Sequence, residues 1–155
     1  MVNGTTVTHG SVPHPEVSSC QSMSLITELT LRKTADGYRV FRKPLEKLAE
    51  LRNDSRELLL NGKNEIDAPG EIIFKTDSDF TLSFGAAWVK YTADGAVLET
   101  SANKKHKLQT GDNLCVRVII DARSAEVFIN DEFGAGFSAE NTPKVYIVKG
   151  HVLLC

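Results

Sequence analysis

The sequence predicts an all-β fold, a two-sheet antiparallel β-sandwich with one short helical turn. Apolar residues recur at every second position in many short segments, which is the period of a strand that buries one face. Turn-forming pairs separate these segments, among them Asp36-Gly37, Asn61-Gly62 and Asp94-Gly95. Roughly eleven or twelve short strands result, a number typical of a sandwich. The 155 residues, 41% of them hydrophobic and 25% charged, suffice for one domain with a buried core.

The predicted elements begin at Leu25, after a segment that has no hydrophobic period. In the first hairpin, Ala35-Asp36-Gly37 is the predicted turn between two alternating strands, and Pro44 ends the second strand. Leucines spaced three apart then predict a short helix or a pair of turns over residues 45–52. The further apolar segments, separated by turns, are residues 58–60, 66–74, 80–91, 97–98, 114–121, 124–130, 136–138, 144–149 and 151–154.

The clearest single element is a β-hairpin over residues 114–131, whose two arms both alternate apolar and polar positions. A two-residue loop at Ala122 and Arg123 places the apolar residues of both arms on one face. A three-residue loop would not, because a one-residue slip turns every side chain of a strand to the other face. The sequence therefore predicts the opposed pairs Ile120–Ala125, Val118–Val127 and Val116–Ile129. All of these side chains except Ala125 are predicted to be buried between two sheets.

The other face of this hairpin carries side chains that could hold a sugar. A cation, a carboxylate, an amide and an aromatic ring supply donors and acceptors beside an apolar platform. In the predicted register Arg117 faces Phe128 and lies diagonal to Glu126. The alternative is a solvated face with an Arg117–Glu126 ion pair worth less than ~1 kcal/mol. The candidate carbohydrate-binding residues are Arg117, Glu126, Phe128, Asn130 and, from a neighbouring strand, Trp88, for which the alternative is a place in the core.

Composition and residue spacing argue against several other classes of function. The net charge of −2 offers no electrostatic reason to expect nucleic acid, and the basic run at 104–107 indicates a solvated loop. Three cysteines at wide spacing define neither a disulfide framework nor a zinc site, and the four histidines have no paired ligand spacing. No metal and no cofactor are predicted. Residues 134–136, Gly-Ala-Gly, follow a strand without opening a helix, so they do not predict a phosphate loop.

Residues 1–22 are rich in Ser, Thr, Gly and Pro, and they predict a flexible or surface-laid arm. They contain no basic stretch followed by an apolar run, as a secretory signal would. Nowhere do eighteen consecutive apolar residues occur, as a membrane span would need. The sequence therefore predicts a soluble chain, cytoplasmic as it stands, with no membrane partner.

Two segments, MSLITELTLRKTADGYRVFRKPLEKLAEL at 23–51 and IDARSAEVFIND at 120–131, carry motifs of a known module. They resemble the C-terminal module of family 32 glycoside hydrolases, the invertases, levanases, inulinases and sucrose-6-phosphate hydrolases. That module typically opens with MSLPRELTLR and DGYRL and ends near an IDRSSVEVFIND-type hairpin. Ala122 stands here where the family has Arg, and Ile26-Thr27 replaces its Pro-Arg.

The resemblance implies one β-sandwich module over residues 23–155, with a jelly-roll-like or concanavalin-like stacking of two sheets. Residues 1–22 would be the arm or linker remnant that joined it to a catalytic domain. In the family, catalysis belongs to a preceding five-bladed propeller with WMNDPNG-, RDP- and EC-type motifs, none of which occurs in this sequence. Retaining hydrolysis needs two carboxylates about 5 Å apart, and the hairpin offers no second one beside Glu126.

We therefore predict a non-catalytic accessory module that acts in domain packing or oligomerisation. The alternative is a weak fructan-binding module, with a fructose-containing saccharide as ligand. A stand-alone glycosidase ranks last. The predicted partner is a second copy of the chain or another protein, bound through a face of the sandwich, because apolar surface made for packing rarely stays bare.

Overall fold

Strands make up most of the described part of the chain. The structure is a computed structural model, in which the described residues are 2–3, 6–8, 21–23, 25–55, 57, 59–66, 69–84, 87–109, 113–121, 124–138 and 145–150. Its one described helix is a 3-10 helix over Glu46–Leu51, where the spacing of leucines predicted a helix or turns. The strands are β1 (Val2–Asn3), β2 (Thr6–Thr8), β3 (Gln21–Met23), β4 (Thr27–Thr34), β5 (Gly37–Pro44), β6 (Lys63–Glu65), β7 (Gly70–Thr76), β8 (Phe80–Phe84), β9 (Ala87–Thr92), β10 (Val97–Thr100), β11 (Lys105–Lys107), β12 (Leu114–Ile120), β13 (Ser124–Ile129), β14 (Phe133–Ser138) and β15 (Val145–Gly150).

Two antiparallel sheets form the sandwich, which confirms the predicted fold class. The four-stranded sheet has the order β14-β13-β12-β7, and the six-stranded sheet has the order β11-β10-β9-β8-β15-β6. Within the described ranges, no helix combines the length and the apolar character needed to span a membrane. The core lies between the two sheets and is built from alternate residues of their strands, among them Ile72, Phe74, Phe80, Leu82, Val89, Tyr91, Leu98, Leu114 and Val127.

The β12–β13 hairpin has the register that its sequence predicted. Val116 lies opposite Ile129, Val118 opposite Val127, and Ile120 opposite Ala125. All six of these side chains are fully buried. The proposed loop residues 122 and 123 lie outside the described residues, but the Asp121 N–H donates to the carbonyl of Ser124 at 2.8 Å, which closes the hairpin at that end.

A second hairpin, β4–β5, belongs to a separate three-stranded sheet of order β1-β4-β5. We call it the N-terminal hairpin. Its two-residue turn is Ala35 and Asp36, within the predicted turn Ala35-Asp36-Gly37, and Gly37, at φ +111°, begins β5. It packs on the outer face of the four-stranded sheet, against β13 and β14.

In residues 1–22, which have no hydrophobic period, Val2–Asn3 pairs with β4, and Thr6–Thr8 pairs with the strand Gln21–Met23.

The structure differs from the predicted elements in the segment after the helix. The apolar run at 58–60 was predicted as a strand. Leu58 lies outside the described residues, Leu59 and Leu60 are exposed, and the pairing strand is Lys63–Glu65. The buried Asn64 side chain explains the difference, since its amide accepts from the Leu59 N–H at 2.8 Å and donates to the Leu59 carbonyl at 3.0 Å. These bonds join Leu59 to Asn64 across the predicted turn at Asn61-Gly62.

Two further predictions concern the basic run at 104–107 and a strand at 151–154. The basic run expected as a loop contains the exposed edge strand Lys105–Lys107, and lysines on an edge strand oppose edge-to-edge pairing with other chains. The strand predicted at 151–154 lies outside the described residues.

Candidate functional site

Glu126 is a carboxylate on the outer face of the four-stranded sheet, yet only 6% of its side chain is exposed. The N-terminal hairpin covers it. Arg42 of β5 pairs with it, Nη2 to Oε2 at 3.2 Å, and the Leu25 N–H donates to Oε1. Arg42 also donates through Nε to the hydroxyl of Thr27 at 3.1 Å. Among the described residues, the partners of the carboxylate therefore come from the N-terminal hairpin and from Leu25, just before it.

Burial raises the pKa of Glu126, while the bond from the Leu25 N–H and the charge of Arg42 act in the opposite direction. The desolvation effect is the largest of the three. A carboxylate enclosed in this way holds two elements together and is closed to solvent.

The guanidinium of Arg42 reaches Glu126 across a glycine. A Cβ at Gly134 would lie 3.1 Å from Cδ of Arg42 and 3.1 Å from the ring of Phe128. Phe128 is buried beneath the same guanidinium, whose carbon lies 5.8 Å from the ring centroid. Glycine on the outward face of β14 thus allows the hairpin to approach the sheet closely.

The expected ion pair between Arg117 and Glu126 is not formed, and the prediction is wrong for a topological reason. The strand β7 lies beside β12 and brings Glu71 to Arg117, whose Nε bonds Oε1 of that carboxylate. The other oxygen of Glu71 accepts from Nε of Arg52 at 2.6 Å, and this bond raises the pKa of Arg52. Glu71 is therefore shared by two arginines, one from the sheet and one from the end of the 3-10 helix.

An open groove of about 470 Å³ lies on the outer face of the four-stranded sheet, beside the N-terminal hairpin. We call it the outer groove. Three of the predicted sugar-binding residues, Arg117, Phe128 and Asn130, line it together. Asn130 and Asp131, which also lines the groove, form the β13–β14 turn with φ of +49° and +55°. The Asn130 side-chain carbonyl accepts from the Cys115 N–H at 2.7 Å and so fixes its position.

The structure does not bring the other two predicted residues to this groove. Glu126 lies beneath the hairpin, as described above. Trp88 is a half-buried residue of β9 in the six-stranded sheet, where Val89 and Tyr91 point into the core and Trp88 points to the opposite face. It therefore lies on the far sheet of the sandwich.

The N-terminal hairpin presents one face with two different environments. Residues two positions apart on one strand share a face of the sheet, and so do residues directly opposed on neighbouring strands. By this rule one face of the hairpin carries Thr27, Arg42, Pro44, Leu31 and Val40. The first three lie at the base and pack on the sheet. Towards the tip the same face is exposed, with exposed fractions of 66% for Leu31, 72% for Tyr38 and 59% for Val40. We call these three residues the apolar hairpin face.

The tip of the hairpin is tied to the sandwich as well as its base. Arg39 donates through Nη1 to the carbonyl of Lys107 at 3.1 Å. The Gln109 amide donates to the carboxylate of Asp36 at 3.1 Å. The apolar hairpin face is therefore carried on an element held at both ends.

Sequence reasoning missed Arg42 and Glu71, which supply the charged partners of the outer face. One available signal was the outward-facing pair Gly134 and Gly136 on β14, because glycine inside a strand often marks the close approach of another segment. Nothing in the local pattern identified Glu71, which is 46 positions from Arg117.

No family model and no curated protein matches this chain.

Proposed function

We propose that this chain is a non-catalytic accessory β-sandwich module that acts through protein contact, and that it binds a second copy of itself through the apolar hairpin face. The observation that carries the proposal is the exposure of Leu31, Tyr38 and Val40 together on one face of the N-terminal hairpin. Leu31 and Val40 are directly opposed, and Tyr38 lies two positions before Val40 on the same strand. Clustered exposed apolar side chains on a soluble domain usually mark an interaction surface.

The way the hairpin is held supports this use of the face. The Arg42–Glu126 pair anchors its base, and the bonds of Arg39 and Asp36 anchor its tip. A surface that is already ordered loses little conformational freedom on association, so more of the contact energy appears as affinity. A face of this kind can also meet its own copy across a two-fold axis, with Leu31 of one chain near Val40 of the other.

The extent of the face sets the expected strength. A stable interface buries about 800 Å² on each partner, which three side chains do not provide. We therefore expect a weak, concentration-dependent association rather than an obligate dimer.

The same proposal places the chain among non-catalytic modules like the C-terminal module of family 32 glycoside hydrolases. The resemblance at residues 23–51 covers the N-terminal hairpin, and in that family the module packs on the catalytic propeller and can contribute to dimer contacts. The carboxylates of Glu126 and Glu71 on the outer face favour a structural role. Glu126 is enclosed by Arg42 and Leu25. Glu71 is shared by Arg52 and Arg117. Neither is arranged as an accessible acid or nucleophile.

Sedimentation velocity over a range of concentrations tests the proposal. The chain should sediment faster as its concentration rises from tens of micromolar to millimolar. Leu31→Lys should remove this dependence, because it places a charge in the centre of the contact. The side chain is exposed, so the substitution should leave the free energy of unfolding within about 0.5 kcal/mol of the original.

Leu51→Lys is the matched control, since Leu51 is 73% exposed but lies on the 3-10 helix. It should associate like the unaltered chain. A monomer at every concentration would contradict the proposal, and so would equal association of the Leu31→Lys chain.

A further inference from the structure

We propose that the outer face of the six-stranded sheet binds an extended acidic segment of a partner protein, one with acidic residues at every third position. Five exposed lysines define this surface, which we call the lysine face: Lys63, Lys90, Lys105, Lys107 and Lys149. The N-terminal hairpin packs on the other sheet. Binding at the lysine face therefore does not depend on self-association through the apolar hairpin face.

The register of the sheet places three of these lysines in one row. Core residues alternate with outward ones along β8, β9 and β10, so Thr81, Lys90 and Glu99 point away from the core. Glu99 is directly opposite both Lys90 and Lys105. Thr81 is directly opposite both Lys90 and Lys149. Because neighbouring strands lie about 4.8 Å apart, the lysines of the row recur about every 10 Å across five strands.

The spacing of the row matches one backbone conformation of a peptide. A polyproline II helix has three residues per turn and rises about 3.1 Å per residue, so every third side chain points the same way, about 9 Å further on. Seven residues with acids at positions one, four and seven would therefore meet Lys149, Lys90 and Lys105 in turn. Such a segment is extended before it binds, so it loses little conformational freedom.

The charge of the lysine face is opposite in sign to that of the chain, whose net charge is −2. In the described part of the six-stranded sheet, the strands carry two acids, Glu65 and Glu99, and the turns at one end add Asp79 and Asp94. Lys105 pairs with Glu99 and lowers the pKa of that carboxyl, yet the Lys105 side chain remains 73% exposed. No described residue forms an ion pair with the other four lysines. The face therefore offers cations to the carboxylates of a partner.

Glu99 favours a peptide over a phosphate polymer as the partner. It stands in the row between Lys90 and Lys105, and a nucleic acid, with a charge on every unit, would bring a phosphate against it. A peptide with acids at every third position places uncharged residues there. The half-buried ring of Trp88, two positions before Lys90 on β9, gives the uncharged residues of the segment an apolar contact.

A peptide titration tests the proposal. The probe is EPPEPPE, acetylated and amidated at its ends, and the control is EEEPPPP, which has the same composition and charge. Fluorescence of Trp88, the one tryptophan of the chain, follows binding at tens of micromolar protein, and amide chemical shifts locate it. EPPEPPE should bind in the high micromolar to millimolar range at low salt, about fivefold more tightly than EEEPPPP, and more weakly as salt is added.

Removing lysines separates the effect of the row from the effect of net charge. Lys90→Gln with Lys149→Gln should weaken EPPEPPE binding about tenfold. Lys47→Gln with Lys75→Gln is the matched control, because it removes the same charge from exposed lysines of the 3-10 helix and of β7 in the other sheet. It should bind within about twofold of the unaltered chain. All four side chains are exposed, so both double variants should fold like the unaltered chain.

Four results would overturn the proposal. They are the absence of saturable changes up to tens of millimolar EPPEPPE, equal binding of EEEPPPP, an unchanged affinity in Lys90→Gln with Lys149→Gln, and tighter binding of a four-nucleotide oligothymidylate or of phosphatidylserine vesicles than of EPPEPPE.

Discussion

Val118→Asp should destabilise the chain by about 4 kcal/mol or more, enough to unfold it. Val118 is fully buried, with Val127 on one side and Ile72 on the other in the four-stranded sheet. A carboxylate at that position would lie among the buried, mostly apolar side chains of the core. Urea unfolding followed by circular dichroism measures the effect.

Val40→Asp is the matched control, because it makes the same chemical change at a valine that is 59% exposed. Its free energy of unfolding should change by less than about 0.5 kcal/mol. A cooperative transition of unchanged midpoint in Val118→Asp would mean that the core does not lie between the two sheets at this strand.

Arg42→Ala should cost about 3 kcal/mol of stability, the second largest effect that we expect. It leaves the Glu126 carboxylate buried without its cation and opens space over Phe128. Arg32→Ala, which removes an exposed arginine lying 4.5 Å from the Phe41 ring on the same hairpin, should cost less than about 1 kcal/mol. Equal costs for the two variants would show that the Arg42–Glu126 pair does not hold the hairpin.

The pH dependence of the same variants provides a second readout. The pKa of Glu126 is raised, so its proton is bound more tightly in the folded than in the unfolded chain. The contribution of this group to stability is fully present below the ordinary carboxyl pKa and is lost as pH rises through the raised value. In Arg42→Ala the pKa rises further, so the loss should extend to higher pH. In Glu126→Gln this contribution to the pH dependence should be absent.

The β12–β13 hairpin could be predicted to the residue because everything that fixes it is local. The alternation in both arms and the length of the loop together leave one register that buries all the apolar side chains. The turn of the N-terminal hairpin could be predicted for the same reason, since Asp36 and Gly37 specify it within a few residues.

The outer face of the β12–β13 hairpin is covered by another segment, and this could not be predicted, because the contacts responsible join distant parts of the chain. Arg42 and Glu126 are 84 positions apart, and Leu25 and Glu126 are 101 apart. Alternation reveals which side chains share a face but not what packs on that face. A face with a cation, a carboxylate and an aromatic ring gives the same pattern whether it is solvated or covered.

The order of the strands within each sheet could not be predicted from the sequence for a related reason. The strand β15, near the end of the chain, pairs between β6 and β8 and so joins segments more than sixty residues apart. No turn connects these strands directly, and the alternation of residues within a strand does not indicate which strand pairs with it.

A dilution series of amide chemical shifts tests most directly whether the apolar hairpin face binds a second copy of the chain. Shifts that change between tens of micromolar and millimolar protein should cluster on β4 and β5 around Leu31, Tyr38 and Val40, and should vanish in Leu31→Lys. Spectra that do not change with concentration, or changes confined to the edge strands β7 and β11, would contradict it.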